Sequence, residues 1–212
     1  DTVDATAVTL SAAANATEGG SVVYTATVAT AVTGTPLVIT LTNGATITIP
    51  VGQTTANSAA VPVRADDAYV QGNQNVTVGI TGTTGGNYEA LTTTSTVTTV
   101  VADDADTTTL SLTGATSIIE GNSGVYTLSL TQLAQSAVTV TLSYSGVAAN
   151  GTDITGTTTV TIPAGSSTAN FNIAALTDAL VEGGESFTVS LVSTTGGDFE
   201  NLAISGVANS VT

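Results

Sequence analysis

Three features of the sequence predict an all-β chain built as two copies of one sandwich domain: an internal repeat, apolar residues alternating with Thr and Ser, and turn-forming residues at close intervals. The repeat is weighed first, because a fixed period decides architecture before local propensities do. From Asp4, DATAVTLSAAANATEGGSVVYTATV aligns without a gap on DTTTLSLTGATSIIEGNSGVYTLSL from Asp106. Further on, ITIPVGQTTAN aligns with VTIPAGSSTAN, and TGTTGGNYEAL with VSTTGGDFENL. The second copy carries an insertion around Tyr144 to Thr158, and the first a short one near Arg64. The expected domains are therefore 1–102 and 103–212, joined by an acidic linker over 100–106, VVADDAD.

Each copy reads as seven strands, here lettered A to G, because period-2 alternation marks half-buried strands and Gly, Asn and Asp break them at turn spacing. In order along the first copy, the inward residues are Val8 and Leu10, Tyr24 and Val28, Leu37, Ile39 and Leu41, Ile47 and Ile49, and Val76, Val78 and Ile80. Their counterparts in the second are Leu110 and Leu112, Tyr126 and Leu130, Val138, Val140 and Leu142, Val160 and Ile162, and Phe187, Val189 and Leu191. Helical periodicity is nowhere sustained. Seven short strands in about a hundred residues fit a two-sheet sandwich. The expectation is two tandem seven-stranded antiparallel immunoglobulin-like β-sandwiches arranged end to end.

Composition narrows the partners. Lysine is absent, Arg64 is the only cation, and 16 carboxylates give a net charge of −15. Nucleic acid and anionic membrane are bound through Lys and Arg, so neither is an expected partner. Acidity does not mean disorder here, because 42% of residues are apolar and fall in rows. With no Cys there is neither a disulfide nor a thiolate metal site. There is also no apolar run long enough to span a bilayer and no leader-like start, so the sequence reads as an interior piece.

The carboxylates are not scattered. If strands A to G alternate in direction, the AB, CD and EF loops share one pole of each copy with the end of strand G. Glu18 and Glu120 fall in AB loops, Asp153 in a CD loop, and Asp66, Asp67, Asp178, Glu182 and Glu185 in EF loops. Asp103, Asp104 and Asp106 follow the last strand of the first copy, and Asp1 and Asp4 align with Asp103 and Asp106. Only Glu89, Asp198 and Glu200, in FG loops, lie at the opposite pole. Two carboxylates about 4 Å apart repel by roughly 4 kcal/mol at an effective dielectric near 20. A lone arginine cannot offset so many. Calcium can, because it takes six to eight oxygens in tolerant geometry, whereas zinc prefers the His and Cys that are missing.

In combination and order, TEGGS, GTD, IPAGSSTANF, TDALVEGGESFTVSL and DDAD resemble the Calx-beta module, a calcium-binding sandwich. Tandem copies with Thr-rich strands and short acidic linkers resemble the extender repeats of large RTX-type bacterial adhesins. The resemblance implies calcium ligands at Glu120, Asp153, Asp178, Glu182 and Glu185, and at Glu18, Asp66, Asp67, Asp103, Asp104 and Asp106. It departs at Gln71 and Gln74, which stand where the second copy has Glu182 and Glu185, so the first copy is expected to bind fewer ions. Thr212 aligns with Val101, so the second copy's own closing aspartates are expected beyond it.

The implied role is a calcium-rigidified extender of an extracellular adhesin on a bacterial cell surface. Such a segment would be monomeric, partner adjacent repeats of its own chain, and project distal binding domains for adhesion and biofilm formation. A ligand-binding module for ice, sugar or a homophilic contact is the alternative, since TTTSTVTT and TGTTTVT could present hydroxyl arrays. Catalysis is not expected: without His, Cys or Lys only carboxylates, hydroxyls and Arg64 remain, with too few aromatics for a sugar-stacking carboxylate cleft.

Overall fold

A computed structural model describes residues 2–177 and 183–211, and among these every regular element is a strand. The chain divides into two units, the first Asp1–Asp67 with Gln71–Asp104, the second Ala68–Val70 with Ala105–Thr212.

The first unit contains β1 (Ala5–Ser11), β2 (Asn15–Thr17), β3 (Ser21–Val22), β4 (Thr25–Val28), β5 (Leu37–Leu41), β6 (Thr46–Ile49), β7 (Thr55–Asn57), β8 (Val61–Pro62), β9 (Gln74–Thr84), β10 (Ala90–Thr92) and β11 (Thr96–Ala102). One sheet runs β10-β1-β4-β7 and the other β2-β11-β9-β5-β6, with β3 and β8 forming a separate two-stranded ladder. The predicted strands A and G are each split because they cross from one sheet to the other, β1 to β2 and β10 to β11. The buried core takes in Tyr24, Leu37, Ile39, Ile47, Ile49 and Val78, while Val76 and Ile80 pack against it only partly buried.

The second unit contains β12 (Thr107–Gly114), β13 (Ser123–Leu130), β14 (Val138–Gly146), β15 (Ile154–Gly156), β16 (Thr159–Ile162), β17 (Thr168–Ala175), β18 (Ser186–Thr195), β19 (Asn201–Ser205) and β20 (Val207–Val211). Its sheets run β15-β17-β13-β12-β19 and β16-β14-β18-β20. The insertion that the repeat alignment exposes lengthens β14 and adds β15, tied down by the Tyr144 hydroxyl donating to Thr157 O at 2.6 Å. Tyr126 is fully buried and stacks on Phe171 with ring centroids 5.5 Å apart.

The tandem all-β sandwich stands, but pairing is not antiparallel throughout. The strands β1 and β10, β2 and β11, and β12 and β19 pair in parallel. Strand parity requires this. In a seven-stranded run of alternating direction the first and last strands point the same way, so any contact between them is parallel. Thr on the solvent face is used across strands: Thr77 meets Thr98 at 2.8 Å and Thr27 meets Thr55 at 3.2 Å through their hydroxyls. The shared TAN motif has one role in both units, since Thr25 donates to Asn57 Oδ1 at 2.8 Å and Thr127 to Asn170 Oδ1 at 2.9 Å.

Candidate metal centre

Two ladders assemble the acidic pole of the first unit. The parallel pairing of β2 with β11 sets Thr17 against Ala102, and the Glu18 amide extends it by donating to Ala102 O at 3.0 Å. That register brings Glu18 beside Asp103 and Asp104, although they lie at opposite ends of the repeat. The β3–β8 ladder pairs Ser21 with Pro62, and is continued by Val63 N to Gly20 O at 3.1 Å and Gly19 N to Arg64 O at 2.9 Å. Arg64 therefore arrives next to the same glutamate. Gly19 makes the approach possible: its φ is +67°, and a Cβ there would lie 2.8 Å from the Asp66 Cβ.

The carboxylate of Glu18 is wholly enclosed, and Arg64 donates from Nε to its Oε2 at 2.9 Å. The Arg64 Nη2 also pairs with Asp103 Oδ1, and Nη1 donates to Gly72 O at 2.8 Å. The other Asp103 oxygen accepts two successive amides, Gln71 at 2.8 Å and Gly72 at 2.9 Å, an arrangement of backbone donors that suits an anion. The Gly72 amide first, then the Gln71 amide and the Arg64 guanidinium, hold the Asp103 carboxyl below its ordinary value, against the desolvation that pushes it up. Gln71 also donates its side-chain amide to Asp67. The lone cation thus offsets part of this charge itself, contrary to the expectation that protein charge could not.

A remainder is left. Glu18 is only 4% exposed, yet among the described residues its Oε1 has no hydrogen-bond partner. Asp104 places a carboxylate oxygen within 4.8 Å of one on Glu18 and of one on Asp66. A buried carboxylate oxygen without a donor is costly, and these neighbours add negative charge rather than relieve it. An all-oxygen set of this kind fits a hard divalent cation such as calcium, and the absence of His and Cys from the chain disfavours zinc.

Other predicted ligands are placed differently. Glu120 is exposed, Asp153 and Glu185 are half-buried, and among the described residues they form no group of three acids. The Asp153 Oδ2 accepts the Ala149 amide at 2.8 Å and the Thr152 hydroxyl at 3.1 Å, closing its own turn. Asp1, Asp178 and Glu182 lie outside the described residues. The backbone amides of Asp4 and Asp106 donate to Glu89 Oε2 at 2.8 Å and Glu200 Oε2 at 2.7 Å, and the Asp106 carboxylate, unlike that of Asp4, remains among the acids that could hold a metal. In both units an FG-loop glutamate therefore receives the start of its own first strand, a job that the sequence reading did not assign.

A family model described as LapA domain matches residues 4–104 and again residues 106–212. No curated protein matches the sequence. Among solved structures, the apo-form Calx CBD1 domain covers 48% of this chain with 94% of its own, at 15% identity and a TM-score of 0.40. CBD12 from CALX1.2 covers 97% of this chain with 98% of its own, at 10% identity and 0.39. An Escherichia coli alpha-2-macroglobulin activated by porcine elastase covers 95% of this chain with 22% of its own, at 10% identity and 0.30. Likenesses this distant say nothing of function.

Proposed function

The chain belongs to the LapA domain family in two successive copies, and on that premise we propose that it is a calcium-stiffened spacer of a large cell-surface adhesin. It is a structural β module of an adhesin family rather than an enzyme. In this reading the parent protein is a secreted RTX-type adhesin of a bacterial surface, these repeats hold its distal binding domains away from the cell, and adhesion and biofilm formation follow.

The observation that carries the calcium part is the enclosed Glu18, whose Oε1 lacks a donor among the described residues while Asp104 and Asp66 crowd the same pole. Asp104 belongs to the segment that leaves β11, whereas Glu18 and Asp66 belong to loops of the sandwich. A cation held by Asp104 with Glu18, or by Asp104 with Asp66, would fasten the departing chain to the pole, and without it the carboxylates repel. Extracellular calcium modules have Kd values of roughly 10⁻⁴ to 10⁻³ M, so millimolar calcium would contribute on the order of 1 kcal/mol per site.

The test is a calorimetric calcium titration with small-angle scattering on the same sample. The expected result is saturable binding, greater extension in calcium than in EDTA, and loss of both responses in Asp104→Asn. A chain that binds no calcium, or whose extension ignores it, would refute the spacer mechanism.

A further inference from the structure

We infer that Arg64 is a resident cation that takes the place of a divalent ion in the first unit, so part of that unit's acidic pole is held shut without any metal. The inference deepens the calcium reading above, but its first arm stands without it. The guanidinium does what a bound cation would do at this pole. It joins the AB-loop Glu18, the post-strand Asp103 and the Gly72 carbonyl, three points far apart in sequence. It is itself largely enclosed, with 14% of its side chain exposed and none of the Glu18 side chain, so the pairing is not a solvated surface contact.

The second unit supplies the contrast. The Gly19 amide donates to Arg64 O at 2.9 Å, and the corresponding Gly121 amide donates to Ala175 O at 3.0 Å. Arg64 and Ala175 therefore occupy one position of the fold. Ala175 is buried in the core and has no charge to offer, whereas Arg64 turns a long cationic side chain across the pole. An arginine fork also differs in kind from a metal. It saturates one face each of Glu18 and Asp103 by directed hydrogen bonds, and it leaves Glu18 Oε1 to a second cation. Asp103 is satisfied on both oxygens, by Arg64 on one and two amides on the other. The structure thus divides the pole into an arginine-filled half and a half open to an ion.

The experiment uses the whole chain and reads amide hydrogen exchange at Gln71 and Gly72, the donors that face Asp103. In EDTA the parent should protect both amides. Arg64→Met, which keeps the aliphatic stem, should lose protection by about tenfold or more, as expected for loss of a charge-assisted hydrogen bond. Calcium should restore that protection, and calorimetry should count one more ion bound by Arg64→Met than by the parent. Unchanged exchange in EDTA overturns the inference, as does protection that calcium cannot restore or an ion count equal to the parent's. Should Arg64→Met fail to fold, Arg64→Gln, which also removes the charge but keeps a polar end, carries the same test. Failure of the calcium spacer reading looks different: the parent would show no saturable calcium heat, while Arg64→Met still lost protection in EDTA and gained one ion.

Discussion

The two units share a repeat, a TAN-motif contact and an FG-loop glutamate that receives the first strand, yet their AB loops face opposite surroundings. In the first, Glu18 is enclosed and ion-paired to Arg64; in the second, the aligned Glu120 is exposed and the position of Arg64 is the core residue Ala175. The same backbone thus tolerates either a built-in cation or none. The differences at this position are that side chain and the short insertion before it, and the stretch that is unbroken as β17 is divided in the first unit into β7 and β8, with residues 58–60 between them. The charge carried at this pole can therefore differ between the two units without altering the sandwich.

The sharpest way to break this comparison is to remove the two glutamates in turn. Glu18→Ala leaves Arg64 enclosed with only Asp103 as a charged partner, and removing one member of a buried pair costs about 3–5 kcal/mol. In EDTA the first unit should then melt many degrees earlier, since each kcal/mol is worth roughly 4–8 °C in a domain of this size. Glu120→Ala, at an exposed position, should stay within about 0.5 kcal/mol of the parent. Equal losses in the two variants would mean that burial of the AB-loop carboxylate does not separate the units.

A smaller effect is expected one residue further on. Gly19 and Gly121 have φ of +67° and +76°, a region that costs an ordinary L-residue about 1–2 kcal/mol. A Cβ at Gly19 would also lie 2.8 Å from the Asp66 Cβ, whereas at Gly121 the nearest atom is the Thr177 Cγ2 at 3.1 Å. Gly19→Ala should therefore destabilise more than Gly121→Ala in thermal melts, and the extra loss should come with a weaker calcium response. Indistinguishable melts would show that the Asp66 loop gives way freely.

How much of this was legible beforehand follows from the range of the interactions. Alternation within a strand is a local signal, and it located Leu37, Ile39, Ile47, Ile49, Val138 and Val140, all fully buried. It passed over Phe171 and Ile173, because the aligned stretch of the first copy, SAAVPV, has no matching apolar row. The gathering of acids at one pole could be argued from strand parity, which also implies the parallel contact of first and last strands. Arg64 could not be placed that way. In the sequence it is a lone charge beside acids, and only the Gly19–Arg64 hydrogen bond and the β2–β11 register put it between Glu18 and Asp103. Asp103 and Asp104, adjacent and chemically alike, are separated only by these contacts: one is satisfied by Arg64 and two amides, the other faces carboxylates.

That separation gives the smallest predicted effect, a pH dependence belonging to Asp103. Its folded carboxyl titrates below its ordinary value because the Gly72 amide, the Gln71 amide and Arg64 favour the charged form. A carboxylate depressed on folding adds stability that is fully present above its unfolded value, about 3.9, and is lost as pH falls through the lower folded value. Neutral and mildly acidic solutions should therefore leave the Arg64 contacts intact, and protection of the Gln71 and Gly72 amides should fall only in stronger acid. Asp103→Asn keeps an oxygen for those amides but cannot titrate, so its protection should be weaker at neutral pH and flatter as the solution is acidified. The measurement is amide exchange in EDTA across the acid range, with the β17 amides of the second unit as reference. If Asp103→Asn loses protection along the same acid profile as the parent, the proton is taken up elsewhere and Asp103 is not the group that Arg64 holds charged.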